Sequence, residues 1–141
     1  MFLDASAVVA VLLQETDSPA MLKAMEAAQG KLLFSPVVRL EATLALVRSR
    51  VATRGKGPAT ADDFEKAASL VDELLDALDA REVEITASVG KDAVKALSVY
   101  GKVVGHPAQL NMGDALSYAC AKACRAPLLY KGDDFARTDL A

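Results

Sequence analysis

Six carboxylates stand at positions where they could meet at one edge of a β-sheet. They are Asp4, Glu41, Asp114, Asp133, Asp134 and Asp139. Asp4 ends a short strand-like segment, Asp114 lies at the start of a helix-like segment, and Asp133 and Asp134 follow a later strand-like segment. Open parallel sheets bind their ligands at the carboxyl ends of the strands. The acids are therefore candidates for one shared site.

Carboxylates that share a site repel one another, and this repulsion raises their pKa values unless a cation is present. Mg²⁺ and Mn²⁺ prefer such oxygen ligands and keep several water molecules. One or two of these ions can activate a water and stabilise the leaving oxygen in phosphodiester hydrolysis. A zinc site is not indicated, because His106 stands alone and Cys120 and Cys124 lack partners at zinc spacing.

Each of these acids also has a purely structural interpretation. Asp114 follows Asn111 by three residues, the spacing of an acid that caps a helix N-terminus. Asp4 precedes an apolar helix-like segment and could be an ordinary N-cap. Glu41 is harder to explain structurally, because it lies on a mostly apolar helix-like segment where an unpaired carboxylate is costly.

The elements that must position these acids alternate between strands and helices. Strands are predicted over 2–4, 31–35, 83–85 and 126–130, and helices over 5–14, 18–28, 37–51, 60–78, 88–100 and 112–123. Ser18 before Pro19 predicts a helix start, Thr60 with Asp63 predicts a capping box, and Asn111 predicts a further cap. This order predicts an α/β three-layer sandwich with a central, mostly parallel sheet of four to five strands.

Composition limits the class of protein. The chain has 141 residues, of which 52% are hydrophobic, and this predicts a single globular domain over 1–141. Two cysteines at i,i+4 spacing exclude a disulfide scaffold. No membrane span or signal peptide is expected, so a cytoplasmic protein is predicted. A net charge of −3 argues against nucleic-acid binding through a basic face alone, and a bound cation would have to neutralise phosphate.

Three stretches and one single acid resemble a known family. They are residues 3–7 (LDASA), Glu41, residues 106–115 (HPAQLNMGDA) and residues 128–139 (LLYKGDDFARTD). Together they are similar to the PIN-domain ribonucleases, and the last stretch is characteristic of the VapC-type toxins of bacterial toxin–antitoxin systems. The resemblance extends over nearly the whole chain. It implies an endoribonuclease that depends on Mg²⁺, with Mn²⁺ as a possible substitute, that is neutralised by a cognate antitoxin and that is usually a homodimer.

The resemblance also assigns roles to single residues. Asp4 and Asp114 correspond to the principal metal ligands, and Glu41 completes the acidic pocket. The acid directly before Phe135 fits the family pattern best, which favours Asp134 over Asp133 as the fourth acid. The remaining two assignments are auxiliary, with Ser6 orienting the first acid and Asp139 supporting the fourth.

Two alternative functions fit these residues less well than a ribonuclease. The chain could be a non-catalytic PIN-like module that binds RNA or protein, although none of the four acids is missing. A haloacid dehalogenase would need a second Asp two residues after Asp4, where this chain has Ser6.

An apolar surface is expected on the first helix, formed by Val8, Val9, Val11, Leu12 and Leu13. These side chains exceed what one core-facing stripe requires, which predicts that part of their surface is covered by an antitoxin helix or by a second copy of the chain.

Overall fold

The computed structural model describes residues 1–140 and contains four short parallel strands flanked by six helices. The strands are β1 (Phe2–Leu3), β2 (Leu33–Phe34), β3 (Arg81–Glu82) and β4 (Leu128–Leu129). The helices are α1 (Ala5–Leu12), α2 (Ser18–Ala27), α3 (Pro36–Arg54), α4 (Ala61–Ala77), α5 (Ala87–Tyr100) and α6 (Met112–Ala123). The predicted α/β sandwich is confirmed. Across residues 1–140, no helix is both long enough and apolar enough to span a membrane.

The strand order determines where a ligand cleft can open. The sheet runs β3-β2-β1-β4, and every neighbouring pair is parallel. Chain connections move from β1 to β2 to β3 in one direction, and β4 then pairs on the opposite side of β1. Such a reversal separates the crossover connections and leaves a crevice at the carboxyl ends of the two strands involved. Asp4 follows β1 at this reversal, and residues 130–134 follow β4.

Two helices begin with the capping boxes that the sequence predicts. In α4, the Asp63 N–H donates to Thr60 Oγ1 at 3.2 Å, and the Thr60 N–H donates to Asp63 Oδ2 at 2.9 Å. In α6, the Asp114 N–H donates to Asn111 Oδ1 at 3.0 Å, and the Asn111 N–H donates to Asp114 Oδ2 at 2.9 Å. Each box satisfies backbone N–H groups that have no partner within the helix.

Several predicted boundaries differ from the structure, and two of the differences have a clear physical reason. The third strand is Arg81–Glu82 rather than 83–85, because β3 is an edge strand whose two side chains are exposed and carry no apolar signal. Val83 only continues the ladder, donating its N–H to the Phe34 carbonyl at 2.8 Å. Helix α2 has Asp17 at its cap position, so the prediction of Ser18 as the cap was wrong by one residue.

Helix α1 is less exposed than its apolar sequence suggests. Val8 is completely buried and belongs to the core-facing stripe, so the apolar residues left for a partner are Val9, Val11, Leu12 and Leu13. Because α1 packs against α2 and α3, its side chains Val9, Val11 and Leu12 are only half-buried, and Leu13 after it is exposed. Leu12 and Leu13 line a groove of about 400 Å³ together with Leu46 of α3 and Leu70 of α4.

A small second core supports the segment after β4. Phe135 is buried with Ala108 and Leu110, and its ring lies 5.0 Å from the ring of Tyr130. The chain turns at Gly132, whose φ of 100° is readily adopted only by glycine. Phe135 therefore anchors the turn that carries the acids 133 and 134.

Candidate metal and active site

Asp4 is a buried carboxylate with one oxygen bound and one oxygen free. It caps α1, and its Oδ2 accepts hydrogen bonds from the Ser6 N–H at 2.9 Å and from Ser6 Oγ at 2.6 Å. The residue is only 4% exposed. Its Oδ1 is fully buried and has no hydrogen-bond partner. Since a buried oxygen without a partner is costly, the free Oδ1 is the strongest sign that this site receives a ligand.

Ser6 connects the ends of the two strands at the reversal. Its Oγ donates to Asp4, which follows β1, and accepts the N–H of Lys131, which follows β4, at 3.0 Å. A single hydroxyl can make both hydrogen bonds because it is at once a donor and an acceptor. Ser6 thereby holds the Asp4 carboxylate in a fixed orientation, and its part in a functional site stays a prediction.

Glu41 and Asp114 approach Asp4 from two other helices. Glu41 lies in the second turn of α3, and Asp114 lies in the first turn of α6. Together with Asp4 they line one open cleft of about 380 Å³. The other residues lining the cleft are Ala5, Ser6, Val9, Glu15, Ala45, Asn111 and Lys131. Three of the four principal acids predicted from the sequence therefore share this cleft.

The pKa values of Glu41 and Asp114 show that these acids influence one another. Burial, together with the charges of Asp4 and Asp114, raises the pKa of Glu41 to about 7. Burial is also the main reason that the pKa of Asp114 is raised to about 6, although the hydrogen bond from the Asn111 N–H opposes that rise. The charges of Asp4 and Asp134 add to the rise at Asp114. Such an accumulation of negative potential is what a divalent cation relieves.

The structure separates the three acids of the C-terminal segment. Asp133 and Asp134 are both exposed and neither lines the cleft, but the charge of Asp134 helps to raise the pKa of Asp114. Asp139 lies elsewhere, accepting hydrogen bonds from the Tyr118 hydroxyl at 2.7 Å and from the Lys122 ammonium at 2.6 Å. These two partners hold the pKa of Asp139 below its usual value. Asp139 is thus occupied by α6 side chains rather than directed to the cleft.

Among the described residues 1–140, Lys131 is the one positively charged residue that lines the cleft. Its ammonium pairs with Glu15 and lies 3.9 Å from Asp17 Oδ2, so the loop between α1 and α2 holds it. The sequence interpretation did not single out Lys131 or Glu15. No local pattern indicated their contact, because they lie 116 positions apart in the chain.

The donor set fits a hard divalent cation. It consists of carboxylate oxygens, and the buried Asp4 Oδ1 is free to bind one. Within residues 1–140, no three His, Cys, Asp or Glu side chains already enclose a metal position. Mg²⁺ does not need such an enclosure, because it typically takes one or two carboxylates and keeps several waters. The residues present therefore fit a partly hydrated ion.

Comparison with known proteins decides the family. The PIN domain family model matches residues 1–140. The chain belongs to the PIN domain family. A VapC ribonuclease of Rhizobium meliloti (strain 1021) is 46% identical over 140 residues, which are 99% of this chain and 98% of the relative. Ribonuclease VapC42 of Mycobacterium tuberculosis is 34% identical over 141 residues, covering 99% of this chain and 96% of the relative.

A solved structure shares the PIN fold. The crystal structure of VapC20 of Mycobacterium tuberculosis, a toxin that cleaves the sarcin–ricin loop, superposes with a TM-score of 0.65. It covers 96% of this chain and 92% of that chain at 16% identity. The resemblance to PIN-domain ribonucleases of the VapC type that the sequence predicted is confirmed by these relatives.

Proposed function

We propose that this PIN-domain protein is an endoribonuclease that depends on Mg²⁺, with Mn²⁺ as a possible substitute, and that it is the toxin of a toxin–antitoxin pair. The observation that carries the metal dependence is the free, buried Oδ1 of Asp4 in a cleft shared with Glu41 and Asp114. The VapC ribonucleases related to the whole chain support ribonuclease activity. RNA is accordingly the proposed substrate, and the cytoplasm is the proposed place of action.

In this proposal Asp4, Glu41 and Asp114 hold the cation, and Asp134 acts from the rim as the fourth acid. The chemistry supplied by a bound divalent ion is the activation of a water and the neutralisation of charge on the leaving oxygen. Asp4 is the pre-oriented ligand, because Ser6 fixes its carboxylate through two hydrogen bonds. The hydroxyl of Ser6 does not itself react.

Glu41 has a further part in this proposal, since its pKa of about 7 leaves its carboxyl partly protonated at neutral pH in the cation-free protein. Cation binding requires the carboxylate, so it releases that proton. Lys131 also lines the cleft, but its ammonium is paired with Glu15, so the proposed neutralisation of an RNA phosphate comes from the bound cation.

The proposed partners are a cognate antitoxin and a second copy of the chain. The groove is lined by Leu12, Leu13, Leu46 and Leu70 together with polar residues that include Arg50 and Arg54, which supports an amphipathic segment of the antitoxin as its occupant. The homodimer rests on the family resemblance. Sedimentation of the purified protein at micromolar concentration tests it, and a strictly monomeric protein would contradict it.

Cleavage of a panel of structured RNAs tests the proposed function. The purified protein is expected to cleave with Mg²⁺ or Mn²⁺ and to stop when EDTA is added, while Asp4→Asn is inactive with either metal. Cleavage that persists in EDTA would overturn the mechanism. RNA binding without cleavage, unchanged in Asp4→Asn, would instead favour a non-catalytic PIN-like binding module.

A further inference from the structure

Gly113 lies where the first turn of α6 passes close to Glu41. A methyl group at position 113 would stand 2.5 Å from Cδ of Glu41 and 2.6 Å from its Oε2. Cβ atoms in proteins essentially never approach other heavy atoms within 3.0 Å. The Glu41 carboxylate therefore occupies the space that any side chain at position 113 would need.

The backbone gives no reason for a glycine here. Gly113 lies inside a helix and is not among the glycines with a positive φ. Glycine in a helix is less favourable than alanine, because it loses more backbone freedom on folding. The feature that requires a glycine at position 113 is thus the close approach of the Glu41 side chain.

A larger residue would act on Glu41 rather than on the fold. The atoms that it would meet are the far end of a flexible side chain, and they can move by rotation about the Glu41 bonds. The main chain of α6 and its capping box can remain as they are. The result would be a carboxylate displaced from the cleft while Asp4 and Asp114 stay in place.

We propose that Gly113 is a positioning residue for the metal site. Its missing side chain leaves the room in which the Glu41 carboxylate stands beside Asp4 and Asp114. Any side chain at position 113 moves Glu41 out of reach of a cation bound in the cleft. This inference rests on the proposed function only in taking the cleft to bind a divalent cation.

The first test compares Gly113→Ala with Gly90→Ala, a matched control in α5. A methyl group at Gly90 would meet no atom within 4 Å. Titration calorimetry with Mn²⁺, the rise in Tm on adding Mg²⁺, and RNA cleavage are measured for both variants. We expect Gly113→Ala to fold normally, to bind Mn²⁺ about 10-fold or more weakly and to lose cleavage. Gly90→Ala is expected to behave like the parent protein.

A double-mutant cycle with Glu41→Ala shows whether Gly113 acts through Glu41. Once the Glu41 side chain is truncated, a methyl at position 113 has nothing to displace, so Gly113→Ala should cause no further loss of Mn²⁺ affinity. Losses that add across the two positions would overturn the proposal. Mn²⁺ binding and cleavage by Gly113→Ala at the level of the parent would also overturn it.

A crystal structure of cation-free Gly113→Ala separates this inference from the proposed function. A Glu41 carboxylate displaced from the cleft supports the positioning role, even if the parent protein shows no response to Mg²⁺ and the proposed function fails. A Glu41 carboxylate that keeps its place while α6 shifts would refute the positioning role, whatever the cleavage assay shows.

Discussion

Replacing Glu41 by Gln should stabilise the cation-free protein at alkaline pH. Glu41 makes no cap, so the substitution removes its charge without removing a helix contact. Its pKa rises from the ordinary 4.5 to about 7. At about 1.4 kcal/mol per pKa unit, this rise corresponds to at most about 3.5 kcal/mol. Because the side chain is only half-buried, solvent screening reduces the expected gain to about 1–2 kcal/mol.

The pH dependence of this gain follows from the direction of the pKa shift. A raised pKa means that the folded protein holds the proton more tightly than the unfolded chain does. Below about pH 4 Glu41 is protonated in both the folded protein and the unfolded chain, so its raised pKa does not lower the stability of the parent. Between about pH 4.5 and pH 7 the parent loses stability, since the unfolded chain has ionised and the folded protein has not. Glu41→Gln cannot ionise and escapes this loss.

Thermal unfolding across pH measures the effect. We expect Glu41→Gln to melt with the parent at pH 4 and roughly 3–8 °C above it at pH 8, both in EDTA. With Mg²⁺ the order should reverse, because the parent gains binding energy and the variant loses a ligand. Glu73→Gln, an exposed change on α4, serves as the control and should show no pH-dependent difference. A Tm difference for Glu41→Gln that is constant with pH, or negative at pH 8, would refute the assigned burial and charge repulsion.

Three further substitutions separate the roles of the other acids. Asp114→Asn keeps a capping oxygen and should abolish cleavage and most of the Mg²⁺-induced rise in Tm, while the cation-free Tm at pH 8 changes by less than that of Glu41→Gln. Asp134→Asn should reduce the Mg²⁺-induced rise in Tm, whereas Asp139→Asn should not, because Asp139 is held by side chains of α6. Equal effects of the two substitutions in the same melts would contradict this assignment. Asp63→Asn should lower Tm at pH 7, because Arg54 holds the pKa of that carboxyl well below its usual range. That loss should begin to shrink below about pH 4 and should vanish only as the pH falls through the depressed pKa of the folded protein, so a loss at pH 2 as large as that at pH 7 would point to packing instead.

Local signals in the sequence were sufficient for most of the secondary structure. The capping boxes at Thr60 and Asn111 were predictable because each joins residues three positions apart. The helices and buried strands follow from apolar periodicity. The edge strand Arg81–Glu82 was misplaced because its exposed side chains carry no such periodicity, and only pairing with β2 makes it a strand.

The candidate acids could also be found from the sequence, because a parallel sheet brings the ends of its strands to one edge. That reasoning located Asp4 and Asp114, which line the cleft together with Glu41. The sequence alone left the C-terminal acids open. Only the structure shows that Asp139 contacts Tyr118, and that the charge of Asp134 helps to raise the pKa of Asp114.

The tertiary structure alone decided the features that turn these acids into a site. Asp4 Oδ1 is buried and free because of what packs around it, and no neighbour in sequence reveals this. The need for a glycine at position 113 arises from Glu41, a residue 72 positions away in the chain. Caps and periodicity are visible in a sequence because they act over a few residues. Burial and close approach depend on distances in space between distant segments, and these exist only once the helices have packed on the sheet.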